Sequence, residues 1–189
     1  SDDEEGINKA RFWSTQSRDP APWYQHSEIG YNYRMSNVVA GVGRGQLLHL
    51  EEHRNLKEKI YRRYEEGLKS LPIKMNPYLE CSKPNFWLSC ILIDRGVKVT
   101  PEQIRLRLEG ANIEARPIWK PMHMQPIYRT NPFVTVEGNG RGRTNAYIKG
   151  SGIDVGADIF RRGLCLPSDN KMTEEQQDII IDIIHRCFL

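Results

Sequence analysis

Between residues 36 and 71 apolar side chains return at three- and four-residue steps: Val39, Val42, Leu47, Leu50, then after one longer gap Leu56, Ile60, Tyr64, Leu68 and Leu71. That period lines one face of a helix. Ser36 stands where an N-cap belongs and Pro72 where the helix must stop. The spacing therefore predicts one long helix, with a bend near residues 53–55. Gly41, Gly43 and Gly45 each disfavour a helix interior by about 1 kcal/mol relative to alanine. Their even spacing predicts a seam where another backbone comes close.

The same reading divides the rest of the chain. The opening SDDEEGINKARFW predicts a helix with Ser1 as N-cap, acids in the first turn and Ile7, Ala10 and Phe12 on one side. A helix beginning at residue 1 is expected of a chain cut from something longer. The proline-rich and polar STQSRDPAPWYQHSE reads as a loop. NFWLSCILID (85–94) predicts a strand, TPEQIRLRLEGANI (100–113) a helix with Thr100 as N-cap and Pro101 at its first position, and EARPIWKP an extended run. DVGADIFRRG predicts a short helix closed by Gly163, LCLP a short strand, and TEEQQDIIIDIIHRCF a last helix capped by Thr173. Strands alternating with helices from residue 76 onward predict an α+β domain around a small sheet. Its expected core is Phe86, Leu88, Ile91, Leu106, Leu164, Leu166, Ile180 and Ile184.

Composition narrows the function little. A hydrophobic content of 39% suits a folded globular chain, and 27 basic against 24 acidic residues leave a net charge of only +3. That balance gives no argument for nucleic acid. Cys90, Cys165 and Cys187 sit in apolar runs, Cys81 does not, and no C-x-x-C pair is present. Free thiols of this kind belong to a reducing compartment. No apolar stretch reaches the roughly 20 residues that span a bilayer, so a cytoplasmic location is expected.

Four stretches carry possible chemistry. In GYNYR (30–34) alternation puts Tyr31 and Tyr33 on one face and Asn32 and Arg34 on the other, an amide and a guanidinium that call for an acceptor. HLEEH (49–53) matches the H-x-x-E-H zinc-peptidase pattern, with Glu52 as a possible base. It also sits among Glu51, Arg54, Lys57 and Glu58, the makings of an ordinary charged helix face, and no third ligand accompanies it. GNGRGRTN (138–145) offers Arg141 and Arg143 in a glycine loop, able to clamp a diphosphate or simply to lie at the surface. RPIWKPMHMQPIY (116–128) fixes Arg116, Lys120 and His123 on a proline-stiffened run beside Trp119. The alternative there is that Trp119, Met122, Met124 and Ile127 pack and the polar groups face water.

Taken in order, KARFWSTQSRDPAPWYQHSEIGYNYRMSNVVAGVGRGQL, RPIWKPMHMQPIY and IFRRGLCLPSDNKMTEEQQ resemble the C-terminal half of the DegT/DnrJ/EryC1/StrS family of pyridoxal-phosphate-dependent sugar aminotransferases. The resemblance implies an aspartate-aminotransferase-type α/β fold. Residues 1–75 would form the trailing part of the large domain and residues 76–189 the small domain. It implies a homodimer acting in surface polysaccharide biosynthesis, with glutamate as amino donor and a nucleotide-linked 4-keto-6-deoxy sugar as acceptor. Asn32 would reach the phosphate of the pyridoxal 5'-phosphate bound to the partner subunit, with Arg34 beside it. His26, Tyr33, Arg116, Lys120, His123, Arg141 and Arg143 would contact substrate. The family's cofactor-holding lysine falls upstream of Ser1, and none of the lysines here stands in its context, so no catalytic residue is expected within the 189 residues. A related branch with histidine at that position dehydrates the sugar at C3. A non-catalytic anion- or nucleic-acid-binding module is the reading from another class.

Overall fold

The computed structural model describes residues 2–128, 130–131 and 154–189. Contacts gather the chain into two units, residues 1–50 and 51–189. The first holds two helices, α1 (Glu4–Ser14) and α2 (Asn37–Leu47). Asp3, not Ser1, caps α1: its carboxylate accepts from Gly6 N at 2.9 Å, and Glu4 and Glu5 place charge against the positive helix end. Ser36 caps α2 through Val39 N. Among the described residues, nothing outside the neighbouring turns of the helix lies within 4 Å of a Cβ placed on Gly41, Gly43 or Gly45, so the expected glycine seam meets no other described backbone.

The long helix predicted from Ser36 to Leu71 is two helices. α3 (Leu50–Leu68) follows α2 after a break at Leu48–His49, upstream of the bend expected at 53–55. The run of low-propensity glycines just before the break leaves the backbone little reason to stay helical there. The apolar stripe of α3, Ile60, Tyr64 and Leu68, packs into the core of the second unit. Within this chain, α3 thus belongs by packing with the residues that follow it.

That core forms against one face of a four-stranded antiparallel sheet. Its strands are β1 (Ile73–Met75), β2 (Cys90–Ile93), β3 (Arg116–Pro117) and β4 (Gly163–Cys165), in the order β1-β2-β4-β3. Alternation sends Ile91, Ile93 and Leu164 to the same face, where they meet Ile60, Tyr64 and Leu68 of α3. α4 (Pro101–Gly110) adds Ile104 and Leu108, and α6 (Glu174–Cys187) adds Ile180, Ile181 and Ile184. Burying one such branched side chain contributes about 1.5–3 kcal/mol. Polar bonds tie α6 to α3 as well: Gln177 Nε2 donates to Ile60 O at 2.7 Å, and Arg63 pairs with Glu174 and Asp178. α5 (Val155–Arg162) packs on β2 and β4, and Gly163 ends it.

Three sequence expectations change here. The strand predicted over 85–94 is confined to Cys90–Ile93. Phe86 takes a left-handed φ of 50°, which turns the chain and tucks its ring against Tyr61 and Tyr78 at 5.3 and 4.8 Å. Leu106 is half exposed rather than core. Ile104 and Leu108, four apart, take the buried face of α4 and leave position 106 on the other side. Leu88 is only partly buried. Phe86, Ile91, Leu164, Leu166, Ile180 and Ile184 are buried as expected. The Thr100 and Thr173 caps stand, each extended to a reciprocal capping box by Gln103 and Gln176.

Candidate functional site

In the first unit, residues 29–34 are held as an extended segment against the end of α1. Tyr31 N donates to Trp13 O at 2.7 Å, Gln16 N to Tyr31 O at 3.0 Å, and Tyr33 N to Ser14 O at 3.1 Å. Thr15 and Asn32 pair as an antiparallel bridge. To receive the segment the chain reverses through Gln16 and Ser17, both left-handed at φ 69° and 50°, a conformation costly for residues with a Cβ. Ser17 is fully buried and its hydroxyl donates to Ile29 O at 3.2 Å. Gly30 fills the tightest point: a Cβ there would lie 2.2 Å from the Gln16 carbonyl carbon and 2.3 Å from Ser17 N. The strained turn and the obligatory glycine serve one end, to fix residues 29–34.

What the segment presents follows from its alternation. Tyr31 and Tyr33 stack on one another, ring centroids 5.1 Å apart at 18°. They remain exposed, 49% and 76%, rather than sinking into a core. Asn32, between them, lies on the opposite side of the extended backbone. Neither the Asn32 amide nor the Arg34 guanidinium makes a side-chain hydrogen bond or ion pair with any described residue, and both are exposed. Both are donors without an acceptor among the described residues.

Around the segment the polar loop is internally bonded. His26 Nδ1 lies 2.8 Å from Gln16 O, and the ring flanks the same turn. Asp19 accepts from Ser27 Oγ at 2.7 Å and Gln25 Nε2 at 3.0 Å, and these bonds hold its carboxyl below the usual range. Glu28 is lowered likewise, by Lys9 first and then by Trp13 Nε1. Arg18 lies over the Tyr24 ring at 4.3 Å.

In the second unit, the 116–123 run leaves the sheet edge at β3. Arg116 is opposite Cys165 in the register, with its guanidinium paired to Glu114 at the surface. Trp119 lies against Trp87 at 5.7 Å, and Lys120 is exposed. Of the four apolar residues that the alternative would pack, only Met124 is buried; Trp119, Met122 and Ile127 are 62%, 63% and 78% exposed. His123 is the fixed member. Its Nε2 lies 2.6 Å from Asp154 Oδ2, while Asp154 Oδ1 caps α5 by accepting from Ala157 N at 3.0 Å. Asp154 is a residue the sequence reading missed; its place before an acid-containing helical turn was the available signal. Arg141 and Arg143 lie outside the described residues.

His26, Asn32, Tyr33 and Arg34 thus lie in one unit, and Arg116, Lys120 and His123 in the other. Among the described residues no cluster of three or more His, Cys, Asp or Glu side chains could hold a metal ion, at His49 and His53 or elsewhere. No described helix is long and apolar enough to cross a membrane.

Residues 1–185 match the DegT/DnrJ/EryC1/StrS aminotransferase family. EpsN of Bacillus subtilis, a protein named as a pyridoxal phosphate-dependent aminotransferase, is 41% identical over all 189 residues, which span 45% of its own length. The GDP-perosamine synthase of Caulobacter vibrioides is 31% identical over 128 residues, 67% of this chain and 34% of that protein. Among solved structures, Helicobacter pylori PseC, an aminotransferase involved in the biosynthesis of pseudoaminic acid, superposes with a TM-score of 0.76 at 18% identity, over 100% of this chain and 47% of its own. The chain spans less than half the length of each of these relatives. Its helices and small antiparallel sheet have the fold of the C-terminal portion of fold-type I pyridoxal phosphate aminotransferases.

Proposed function

The chain belongs to the DegT/DnrJ/EryC1/StrS aminotransferase family, and from that premise we propose that it is the C-terminal portion of a homodimeric sugar aminotransferase. The enzyme moves an amino group from glutamate to a nucleotide-linked 4-keto-6-deoxy sugar. The relatives named for perosamine and pseudoaminic acid, both amino sugars, support the acceptor class. A place in cytoplasmic polysaccharide precursor synthesis goes with that acceptor.

One observation carries the reading: residues 29–34 are pinned at the cost of two left-handed residues, yet their Asn32 and neighbouring Arg34 donors have no acceptor among the described residues. An exposed amide beside a guanidinium suits a phosphate dianion, which needs convergent, charge-assisted donors. The residues present therefore fit pyridoxal phosphate, with Asn32 and Arg34 directed to the phosphate of the partner subunit's cofactor. When bound, the cofactor supplies an electron sink for amino-group chemistry. This chain's contribution is binding and orientation. His26 and Tyr33 border the phosphate segment; Arg116, Lys120 and His123, with Arg141 and Arg143, meet the acidic nucleotide-sugar. The lysine that holds the cofactor is not among these residues.

The test is to supply the whole gene product with pyridoxal phosphate, glutamate and a nucleoside-diphosphate 4-keto-6-deoxyhexose. Formation of 2-oxoglutarate together with an amino sugar nucleotide is expected. Loss of the C3 hydroxyl without nitrogen transfer would move the enzyme to the dehydratase branch, and no reaction with any keto sugar would remove the assignment.

A further inference from the structure

Cys90 and Cys165 lie 75 positions apart in sequence, yet the sheet sets them face to face. They are register partners on the adjacent antiparallel strands β2 and β4, with Sγ atoms 3.6 Å apart. The flanking pair, Ser89 and Leu166, is joined by Leu166 N donating to Ser89 O at 2.9 Å. Hydrogen-bonded and non-hydrogen-bonded pairs alternate along an antiparallel ladder, so Cys90–Cys165 is a non-hydrogen-bonded pair. In such pairs the Cα atoms are about 4.5 Å apart, inside the range of about 4.4–6.8 Å that a disulfide bridges. Small rotations about the two Cα–Cβ bonds would close the sulfur gap without moving either strand. Ile91 and Leu164 take the packed face, so the two thiols lie on the other face of the sheet.

We propose that Cys90 and Cys165 are a reversible redox pair, a modification site that closes into a cross-strand disulfide when the protein meets a hydroperoxide. Cys90 donates its S–H to Cys165. That bond holds the Cys165 thiol below its ordinary range and raises Cys90, with burial adding to the rise. The Cys165 sulfur is the first nucleophile. It attacks one peroxide oxygen, the O–O bond breaks, and a sulfenic acid forms as the second oxygen leaves and is protonated to water or alcohol. The Cys90 sulfur then attacks the sulfenic sulfur, the S–O bond breaks, and hydroxide leaves to take up the Cys90 proton as water. Two thiols lose two electrons and two protons in all, and the peroxide is reduced. A dithiol reductant reverses the change by exchange. Cys165 is also the register partner of Arg116, so the bridge would form one strand away from a residue assigned to substrate.

The other two cysteines serve as controls. Cys81 is exposed, and Cys187 Sγ donates to Ile183 O at 3.3 Å on its own helix. The whole gene product is treated with hydrogen peroxide, quenched with N-ethylmaleimide, digested without reductant and mapped by mass spectrometry. A Cys90–Cys165 linked peptide two hydrogens lighter than its two halves is expected, with Cys81 labelled, and dithiothreitol should abolish the link. In Cys90→Ser the Cys165 sulfenic acid should persist and be captured by dimedone. If Cys90 and Cys165 are both recovered as free thiols at a peroxide dose that oxidises Cys81, or if either links to Cys81 or Cys187 instead, the proposal is overturned. Should Cys90→Ser fail to fold, the wild-type map alone decides.

Discussion

His123 Nε2 and Asp154 Oδ2 lie 2.6 Å apart, and the other oxygen of the same carboxylate caps α5. One nearly buried acid thereby fixes both the start of a helix and the one histidine of the 116–128 run. Asp154→Ala removes both bonds. Losing the cap alone costs about 1 kcal/mol, and leaving His123 without its carboxylate adds about another 1 kcal/mol. Asp154→Asn keeps an oxygen for Ala157 N and is expected to retain the capping part. Urea melts of the two variants should differ by about 1 kcal/mol. Equal destabilisation would mean that the Ala157 cap contributes nothing.

Asp158 gives a pH signature. Hydrogen bonds from Arg162, at 2.9 and 2.6 Å, and from Arg95 at 3.1 Å push its carboxyl from 3.8 down to about 2. Arg162 also donates to Ile93 O, so the pair ties α5 to β2. A pKa depressed in the folded state contributes stability above the unfolded value, and that stability is lost as pH falls from about 4 toward 2. The full shift would correspond to about 2 kcal/mol, and solvent around side chains about one-fifth exposed trims it to about 1 kcal/mol. Asp158→Asn should therefore melt about 1 kcal/mol earlier at pH 7, with the gap from wild type closing between pH 4 and 2. A gap that is constant across that window would count against the ion pair.

Gly30 tests whether the 29–34 segment is held by close approach. The clash of an added Cβ at 2.2–2.3 Å is with the backbone of Gln16 and Ser17, which cannot swing away as a side chain could. Gly30→Ala is expected to lift the segment off α1. Amide exchange at Tyr31, Tyr33 and Gln16 should then accelerate while that of Ile91 and Leu164 in the sheet is unchanged. Retained protection at all three amides would show that the segment tolerates the methyl.

Local chemistry was legible in the chain; long-range pairing was not. Ser36, Thr100 and Thr173 announced their helices because a cap is settled within four residues. Tyr31 and Tyr33 were placed on one face by the period of an extended backbone alone, although their mutual stacking in the open was not foreseen. β1 escaped notice because Ile73–Met75 is too short to show a period directly after Pro72. The predicted strand starts late, at Cys90, because Phe86 takes a left-handed turn that sets its ring against Tyr61 and Tyr78, a packing that no local period announces. Asp154 meets His123 across 31 positions and Cys165 meets Cys90 across 75, and only the folded chain brings such residues together. Arg116, Lys120 and His123 could be singled out as candidates because prolines fix the backbone between them.

The 189 residues alone should be inert. On the proposed function, the cofactor lysine is none of this chain's lysines, Lys9, Lys57, Lys98 and Lys171 included. Mixed with pyridoxal phosphate and glutamate, the chain is expected to yield no 2-oxoglutarate and no stoichiometric lysine-bound cofactor. A single lysine trapped in full by borohydride would place the catalytic group inside this chain.

Asn32 provides the sharpest test of the proposed function, because its role is predicted to be exercised across the dimer. Losing one hydrogen bond to a charged acceptor costs about 1.5–3 kcal/mol, so Asn32→Ala in the whole gene product should weaken cofactor affinity roughly tenfold or more. The fold should be unaffected, since the Asn32 side chain bonds to no described residue and only its backbone pairs with Thr15. The contact made in trans has a further consequence. A subunit carrying Asn32→Ala can still bind cofactor with its own lysine and its partner's Asn32, while a subunit lacking that lysine still offers its Asn32. Mixing the two variants should therefore create one complete site in each heterodimer, and activity should return toward half of the wild-type value per heterodimer. Titration of pyridoxal phosphate into each homodimer and into the mixture reads both effects. If the mutant binds cofactor as tightly as wild type, or if the mixture stays as inactive as its parents, Asn32 does not reach across to the partner's phosphate.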